Sequence, residues 1–388
     1  MNKQSAKRRR EDDDDGSAIA MDRLSQLPQP ILHNILSLLS QKDAVRTCVF
    51  SKSWRYLWHG RYKFELRGDD YFFARKTELW SFLDKTLQRS LNLSFGMNSF
   101  VFPLPLVVFH SESLVELHLQ GLSLNTLKST DNVMLNNLQT LRLHDVYITD
   151  EIFEKIISSC PLIDNLDLYL CRGLKSIKLH KHHNIKDFAC FVNDDQTIIE
   201  FEDPHPLESV RIQNCLYRYI RHKNMHFTHL KSLDLYGVHL PAETFDNFSS
   251  FFPCLSELIL KSCDGLKEFR LFSSSIKRLT IKSGPRNRIK AFIDTPNILY
   301  FEFSSDGNDF LPSIKFTTTS NEWKSHISLW YMLRSSEKDD TSWLLKLNRL
   351  LKSLSQSYIT LSLNHMYKKL HINDSYAGVY KPVVVERV

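Results

Sequence analysis

The chain has 388 residues, 42% of them hydrophobic, with a net charge of +6 and only 11 glycines. That length and apolar content fit two domains or one extended repeat domain of a globular protein. The mild charge offers no concentrated basic face, so nucleic acid is not an expected partner. Seven scattered cysteines with no C-x-x-C pair exclude a secreted disulfide framework and that kind of zinc site.

Residues 1–18 read as a disordered tail. Lys7-Arg8-Arg9-Arg10 is followed at once by Glu11 and by Asp12 to Asp15. Such a basic cluster can serve nuclear import, or the tail can neutralise itself in solvent; both readings stay open. The polar N-terminus shows no signal peptide. The apolar run Phe100–Phe109 is cut by Pro103 and Pro105 and is far shorter than a membrane span. No membrane partner is expected, and the location expected is nuclear and/or cytoplasmic.

Residues 19–60 form the next unit, with three short amphipathic helices between 22 and 58. Leu27-Pro28 opens the first, proline being suited to a first helical turn because it has no N–H to satisfy. Ile31, Leu32, Ile35, Leu36, Leu38 and Leu39 then recur at helical spacing. Ala44, Val45, Cys48 and Val49 repeat the pattern after Gln41-Lys42-Asp43. Ser51 suits the N-cap of a third helix whose Trp54, Leu57 and Trp58 share a face. Helices of about 8–12 residues cannot bury this much apolar surface among themselves. The excess must be covered by the rest of the chain or by another protein.

This segment resembles an F-box of the plant type that precedes leucine-rich repeats. The resemblance rests on Leu27-Pro28, Ile35-Leu36, Lys42 to Thr47, and Ser51-Lys52 followed by Trp54-Arg55-Tyr56-Leu57-Trp58. It departs at Ser40, where the family often has Pro, and at Ser53, where it often has Arg. The resemblance implies docking onto a Skp-type adaptor, and through it a cullin, in a ubiquitin ligase. Leu27, Pro28, Ile31, Ile35, Val45 and Trp54 are the expected adaptor-binding residues.

Residues 61–105 read as a connecting helix and a first repeat strand at Leu91 and Leu93. From 106 to 306 the chain repeats apolar-x-x-apolar-x-apolar. Copies start at Leu114, Leu138, Ile163, Ile185, Leu207, Leu230, Leu255, Ile276 and Ile298, every 21 to 25 residues. That is the period of leucine-rich repeats, in which each unit adds one parallel strand to a concave sheet. The expected fold class is therefore α/β: a three-helix F-box, then a solenoid with a parallel concave sheet and a mixed helix and strand convex side. Copies at Leu174 and Leu266 follow their predecessors by only 11 residues, so they are expected as convex return strands. Convex helices are expected at Asp150–Ser159 and Ala242–Phe251. The pattern also recurs at about 92 residues (Leu138 to Leu230, Ile163 to Leu255), as though one block of coils were duplicated.

Strand alternation turns the residues between the apolar positions outward. Their mixture of charges and rings, including Asp167, Phe191 and Asp234, suits recognition of a protein. His118, Arg142, His144, Tyr169, Arg211, Tyr236 and Lys261 are the candidate substrate-binding residues, the substrate being an unknown protein. Cys171, Cys215 and Cys263 each fall three residues after the last apolar position of a copy. In leucine-rich repeats that slot takes Asn or Cys turned inward, so the resemblance implies that these thiols are buried and inert.

Residues 307–388 read as a C-terminal cap. It comprises an amphipathic helix carrying Trp343, Leu344, Leu347, Leu350, Leu351 and Leu354, a strand at Tyr358–Leu363 and another at Val383–Val385. The helix is expected to start at Asp340 or Thr341. A further small module, carried by some related proteins beyond such a stretch, is expected to be absent.

No phosphate loop, G-x-G spacing, H-E-x-x-H or G-x-S-x-G occurs, and no catalysis or cofactor is expected of this chain. His180, His182 and His183 lie beside Lys178 and Lys181 and read as a solvated edge, so no metal is expected. Three functions follow: a ligase subunit that delivers a protein substrate, a small-molecule receptor of the same family, or an adaptor-binding scaffold without substrate delivery. A deep pocket of convergent Arg and Lys would favour the second, but Arg142, Arg211, Lys261, Arg278 and Lys282 lie on distant repeats.

Overall fold

The computed structural model describes residues 27–39, 63–67, 90–94, 104, 106–128, 130–179, 184–191, 197–201, 206–214, 220–221, 226–240, 242–284, 288–305, 311–318, 322–331, 337–365 and 384–385. The chain divides into two compact units, Met1–Tyr62 and Lys63–Val388. In the first unit, helix α1 covers Gln29–Leu38, with Pro28 at its N-cap and a proline, Pro30, in its first turn. The Ile31 and Leu32 amides donate to the Pro28 carbonyl at 2.9 and 3.2 Å. The second and third expected helices, with Val45 and Trp54, lie outside the described residues. So do the tail, the connecting helix, His180, His182, His183 and Cys215.

The second unit is built from strands β1 (Lys63–Arg67), β2 (Ser90–Ser94), β3 (Glu116–Gln120) and β4 (Thr140–His144). Helix α2 (Asp150–Ser158) precedes β5 (Asn165–Tyr169), β6 (Ser176–Leu179), β7 (Asp187–Phe191), β8 (Ile198–Phe201), β9 (Ser209–Gln213) and β10 (Ile220–Arg221). After β11 (Ser232–Tyr236) come a 3-10 turn, Ala242–Phe245, and the single-turn helix α3 (Phe248–Phe251). There follow β12 (Glu257–Lys261), β13 (Glu268–Phe272), β14 (Arg278–Ser283), β15 (Lys290–Asp294), β16 (Tyr300–Ser305) and β17 (Ser313–Thr317). The chain ends with β18 (Lys324–Tyr331), helix α4 (Glu337–Ser353), β19 (Tyr358–His365) and β20 (Val384–Val385).

Fourteen strands pair in parallel in the order β1-β2-β3-β4-β5-β7-β9-β11-β12-β14-β16-β18-β19-β20. All nine repeat copies fall on consecutive strands of this main sheet, from β3 to β16, as the solenoid reading requires. The copies at Leu174 and Leu266 do not. They form β6 and β13, each in a separate three-stranded sheet, β10-β8-β6 and β13-β15-β17.

Spacing decides what returns the chain. The two 25-residue intervals, Leu138 to Ile163 and Leu230 to Leu255, carry α2 and the α3 region. The intervals of 21 to 23 residues carry β6, β8, β10, β13 and β15. A helix advances about 1.5 Å per residue and a strand about 3.3 Å, so a helical return consumes more chain for the same distance.

Three expectations change. The helix over Ala242–Phe251 is broken, because Asn247 takes a left-handed φ of 60° between the 3-10 turn and α3. Helix α4 begins at Glu337 rather than at Asp340 or Thr341. The repeat sheet does not stop at 306: β18, β19 and β20 continue it, so the region read as a cap contributes three of its strands. Helix α4 occupies the longer step between β18 and β19, where Lys324 pairs with Tyr358.

The apolar positions of each copy fill the interior. Leu117, Leu119, Leu141, Leu143, Leu166, Leu168, Leu258 and Leu260 are at most 1% exposed. Most main strands from β3 to β12 end on one left-handed residue, among them Gly121, Asp145, Leu170, Asn214, Gly237 and Ser262. Its N–H donates to a carbonyl at the end of the next strand or one residue before it, as from Asp145 to Tyr169 and from Ser262 to Lys282, both at 2.7 Å. The same turn thus closes each ladder and sends the chain to the opposite side.

Gly173 has a φ of 89°, and a Cβ there would lie 2.8 Å from the Ile148 carbonyl oxygen. Because that neighbour is backbone, Gly173→Ala should lower stability by about 1–3 kcal/mol, read as a fall in the denaturation midpoint with unchanged slope. No such fall would mean that the turn opens at little cost.

Candidate interaction surfaces

Helix α1 has apolar residues on two faces. Leu32 and Leu36 are buried, at 2% and 0% exposure. Ile31, Ile35 and Leu38 follow at i, i+4 and i+7, so they form a second stripe. Ile31 is 46% exposed and Leu38 86% exposed, with Ile35 half-buried between them. Leu27 is half-buried and Pro28 exposed at the head of the helix. Leu38, named in the sequence among the helically spaced residues but not among the adaptor-binding ones, joins the stripe.

On the main sheet the register fixes the outward neighbours. His118, Arg142, Asp167, Ala189, Arg211 and Asp234 follow one another across β3, β4, β5, β7, β9 and β11. The next row runs Gln120, His144, Tyr169, Phe191, Gln213, Tyr236 and Lys261. The seven candidate residues therefore lie in two adjacent rows but form two clusters.

The first cluster is a continuous run of rings. The His118 and His144 centroids are 4.7 Å apart, His144 and Tyr169 5.4 Å, and Tyr169 and Phe191 4.7 Å. Tyr169 is 42% exposed, and Arg142 stands exposed beside the run. His144 Nε2 also lies 3.4 Å from Asp167 Oδ2. Such rings offer large, rigid contact area at small entropic cost. Phe191 completes the run; alternation placed it outward, but only the register puts it against Tyr169.

The second cluster is charged. Asp234 Oδ2 takes Lys261 Nζ at 3.0 Å and Arg211 Nε at 3.5 Å, and its side chain is 13% exposed. Tyr236, 41% exposed, is the cross-strand partner of Lys261. Farther along, Lys282 pairs with Glu302 at 3.2 Å. Three of the outward cations are thus paired within the sheet to two carboxylates, which weakens capture of a small anion there.

The expected inward thiols divide by chemistry rather than by name. Cys171 and Cys263 donate to the Leu143 and Leu235 carbonyls at 3.1 and 3.4 Å. Burial pushes Cys171 up to about 12 and Cys263 up to about 11, because the thiolate loses its solvation. Cys160 is likewise raised to about 12 by burial. Cys254 is exposed. Cys171 is half-buried rather than buried as expected, so at pH 8 a thiol reagent should label Cys254 quickly, Cys171 more slowly, and Cys160 and Cys263 only on unfolding. Peptide mapping after timed labelling checks this, and early modification of Cys263 would contradict it.

Among the described residues, no three His, Cys, Asp or Glu side chains are grouped to hold a metal ion. Among the described residues, no helix is long and apolar enough to cross a membrane.

These features define a parallel leucine-rich-repeat solenoid with an amphipathic helix in a separate N-terminal unit. Comparison with known families agrees. The F-box domain family matches residues 24–66, and the family described as "FBD-associated F-box protein At5g56370, LRR repeats" matches residues 79–222. The chain is 25% identical over 323 residues to the F-box protein At1g60400 of Arabidopsis thaliana, covering 73% of this chain and 77% of that protein. It is 30% identical over 212 residues to the Arabidopsis F-box/FBD/LRR-repeat protein At5g56420, spanning 41% of this chain and 49% of the relative. Similarity to the F-box/LRR-repeat protein At3g03360 is 27% over 201 residues, 42% of this chain and 41% of that one. The chain thus carries an F-box match followed by a leucine-rich-repeat match, and it is similar to plant F-box proteins with leucine-rich repeats.

Proposed function

We propose that the chain is the substrate-recognition subunit of a Skp–cullin–F-box ubiquitin ligase. Its F-box docks onto a Skp-type adaptor, and the adaptor joins it to a cullin. The outward rows of the main sheet hold a target protein. The observation that carries this reading is the coupling, in one chain, of an F-box match with a repeat sheet presenting exposed rings and a cation beside them.

The chain itself performs no chemistry in this reading. It holds a target lysine close to a charged conjugating enzyme on the same scaffold, so the rate gain comes from proximity. The internal pairing of Arg211, Lys261 and Lys282 favours a protein target over a small anionic ligand on this face. Nuclear and/or cytoplasmic residence goes with this role, and neither nucleic acid nor membrane enters it.

Affinity purification of the full chain and of a version lacking residues 19–60 tests the proposal. The full chain should bring down adaptor, cullin and target, and the shortened chain the target alone. Adaptor retained by the shortened chain would refute F-box docking. Absence of any common third protein would leave an adaptor-binding scaffold.

A further inference from the structure

Among the described residues, the interior of the solenoid is incompletely filled beside the Ala242–Phe251 segment. A cavity of about 320 Å³ lies between the main-sheet strands β9, β11 and β12 and the Ala242–Phe251 segment. Its walls are apolar, with Ile212, Leu235, Phe245 and Phe248 among them. Leu233, Leu235 and Phe227 each keep 7% exposure, whereas Leu141 and Leu143, the counterparts of the two leucines 92 residues earlier, keep 1% and 0%.

The internal duplication shows why the space exists. In the first block α2 buries Ile152, Phe153, Ile156 and Ile157. At the same offset the second block has Thr244, Phe245, Phe248 and Ser249. Two of four core-filling side chains have become hydroxyl residues, and the helix that carried them is broken at Asn247. Ser249 turns away and donates to the Phe272 carbonyl. Thr244 lines the cavity, and its buried Oγ1 makes no hydrogen bond. A buried hydroxyl without a partner is costly, and native cores rarely hold voids of this size. Empty apolar cavities smaller than this one take up benzene or xenon.

We infer that this cavity is a binding site for a small, neutral, mainly apolar molecule whose single hydroxyl or carbonyl pairs with Thr244. The volume stands at the lower end of ligand pockets, about 300–1,000 Å³. Glu243 lies on the lining as an exposed acid, and a carboxylate ligand would meet it as a like charge. The site lies under the main sheet, on the opposite side from the rows assigned to a target protein, so its ligand does not compete for them.

The experiment is calorimetric titration of the full chain with three probes: 4-propylphenol, propylbenzene and 4-propylbenzoate. The phenol and the hydrocarbon should each bind saturably at one site, and the benzoate should not. Thr244→Val keeps the shape and removes the hydroxyl, so the fold is retained. It should weaken the phenol about five-fold, the worth of one neutral hydrogen bond, and leave propylbenzene unchanged. Leu233→Trp, which projects an indole into the space, should weaken both. No saturable binding of either neutral probe to the unaltered chain would overturn the inference. So would phenol affinity untouched by Thr244→Val, or benzoate binding as tightly as the phenol.

Discussion

Replacing Ile31 and Leu38 together by Asp should abolish co-purification with a Skp-type adaptor while the repeat unit stays folded. The two side chains lie on the open stripe of α1, at 46% and 86% exposure. Leu32 and Leu36 face the other way and are buried, so the double change spares the packed side of the helix. Truncation of a desolvated apolar anchor commonly costs ~2 kcal/mol or more. Two such losses, with charges introduced into an apolar contact, correspond to about a thousand-fold in affinity. Leu27→Ala with Pro28→Ala should act in the same direction, since half-buried Leu27 and exposed Pro28 stand at the head of the same helix. The thermal transition of the repeats should not move, because both positions fall in Met1–Tyr62 and the repeats in Lys63–Val388. Unchanged adaptor recovery by the Ile31, Leu38 variant would remove the ground for the ligase reading. Leu36→Asp is the contrasting change: it should lose the adaptor by unfolding the helix.

The repeat sheet was legible wherever its apolar positions were filled by apolar residues. From β3 to β16 they are, and each strand was found at its place. The signal fails at β18 for a physical reason. Register places Ser325 where Phe301 stands one strand earlier, and Ser325 is 1% exposed. Its hydroxyl meets that of Ser357 at 2.6 Å, so a buried hydrogen bond takes the place of an apolar contact. Trp323, fully buried, supplies the missing volume from a neighbouring position. A pattern search for apolar spacing does not see such a substitution. The convex strands β8, β10 and β15 were not singled out either, because they lack the full repeat string that marked β6 and β13. On the outward face, alternation identified the candidate rows but not their partners. That Arg211 and Lys261 converge on Asp234 depends on the register joining β9, β11 and β12.

That convergence decides how the target-binding face should be probed. Arg211→Glu would set a second carboxylate beside Asp234, whose side chain is only 13% exposed, and would mix a stability effect into the result. Arg142 and Tyr169 carry less of this cost: Arg142 is exposed and its cross-strand neighbour Asp167 is 29% exposed, and Tyr169 is 42% exposed at the ring run. Arg142→Glu with Tyr169→Ala should therefore weaken target capture strongly, at small cost in stability. Tyr and Arg are enriched among residues whose loss costs ~2 kcal/mol or more at an interface, and a like-charge clash can add several kcal/mol. The combined loss should exceed about a hundred-fold. Surface changes of this kind usually alter stability by about 0.5 kcal/mol or less each. The rings of His118 and His144, 4.7 Å apart, remain to support the strip. Once the target is known, a pulldown of target and adaptor from one sample reads both interactions. Target should be lost and adaptor kept. Target held at full affinity would place its contacts away from these two rows, on the far strands of the sheet or on the return side. Loss of both partners would point to misfolding, and the denaturation midpoint of the variant distinguishes that outcome from loss of the interface.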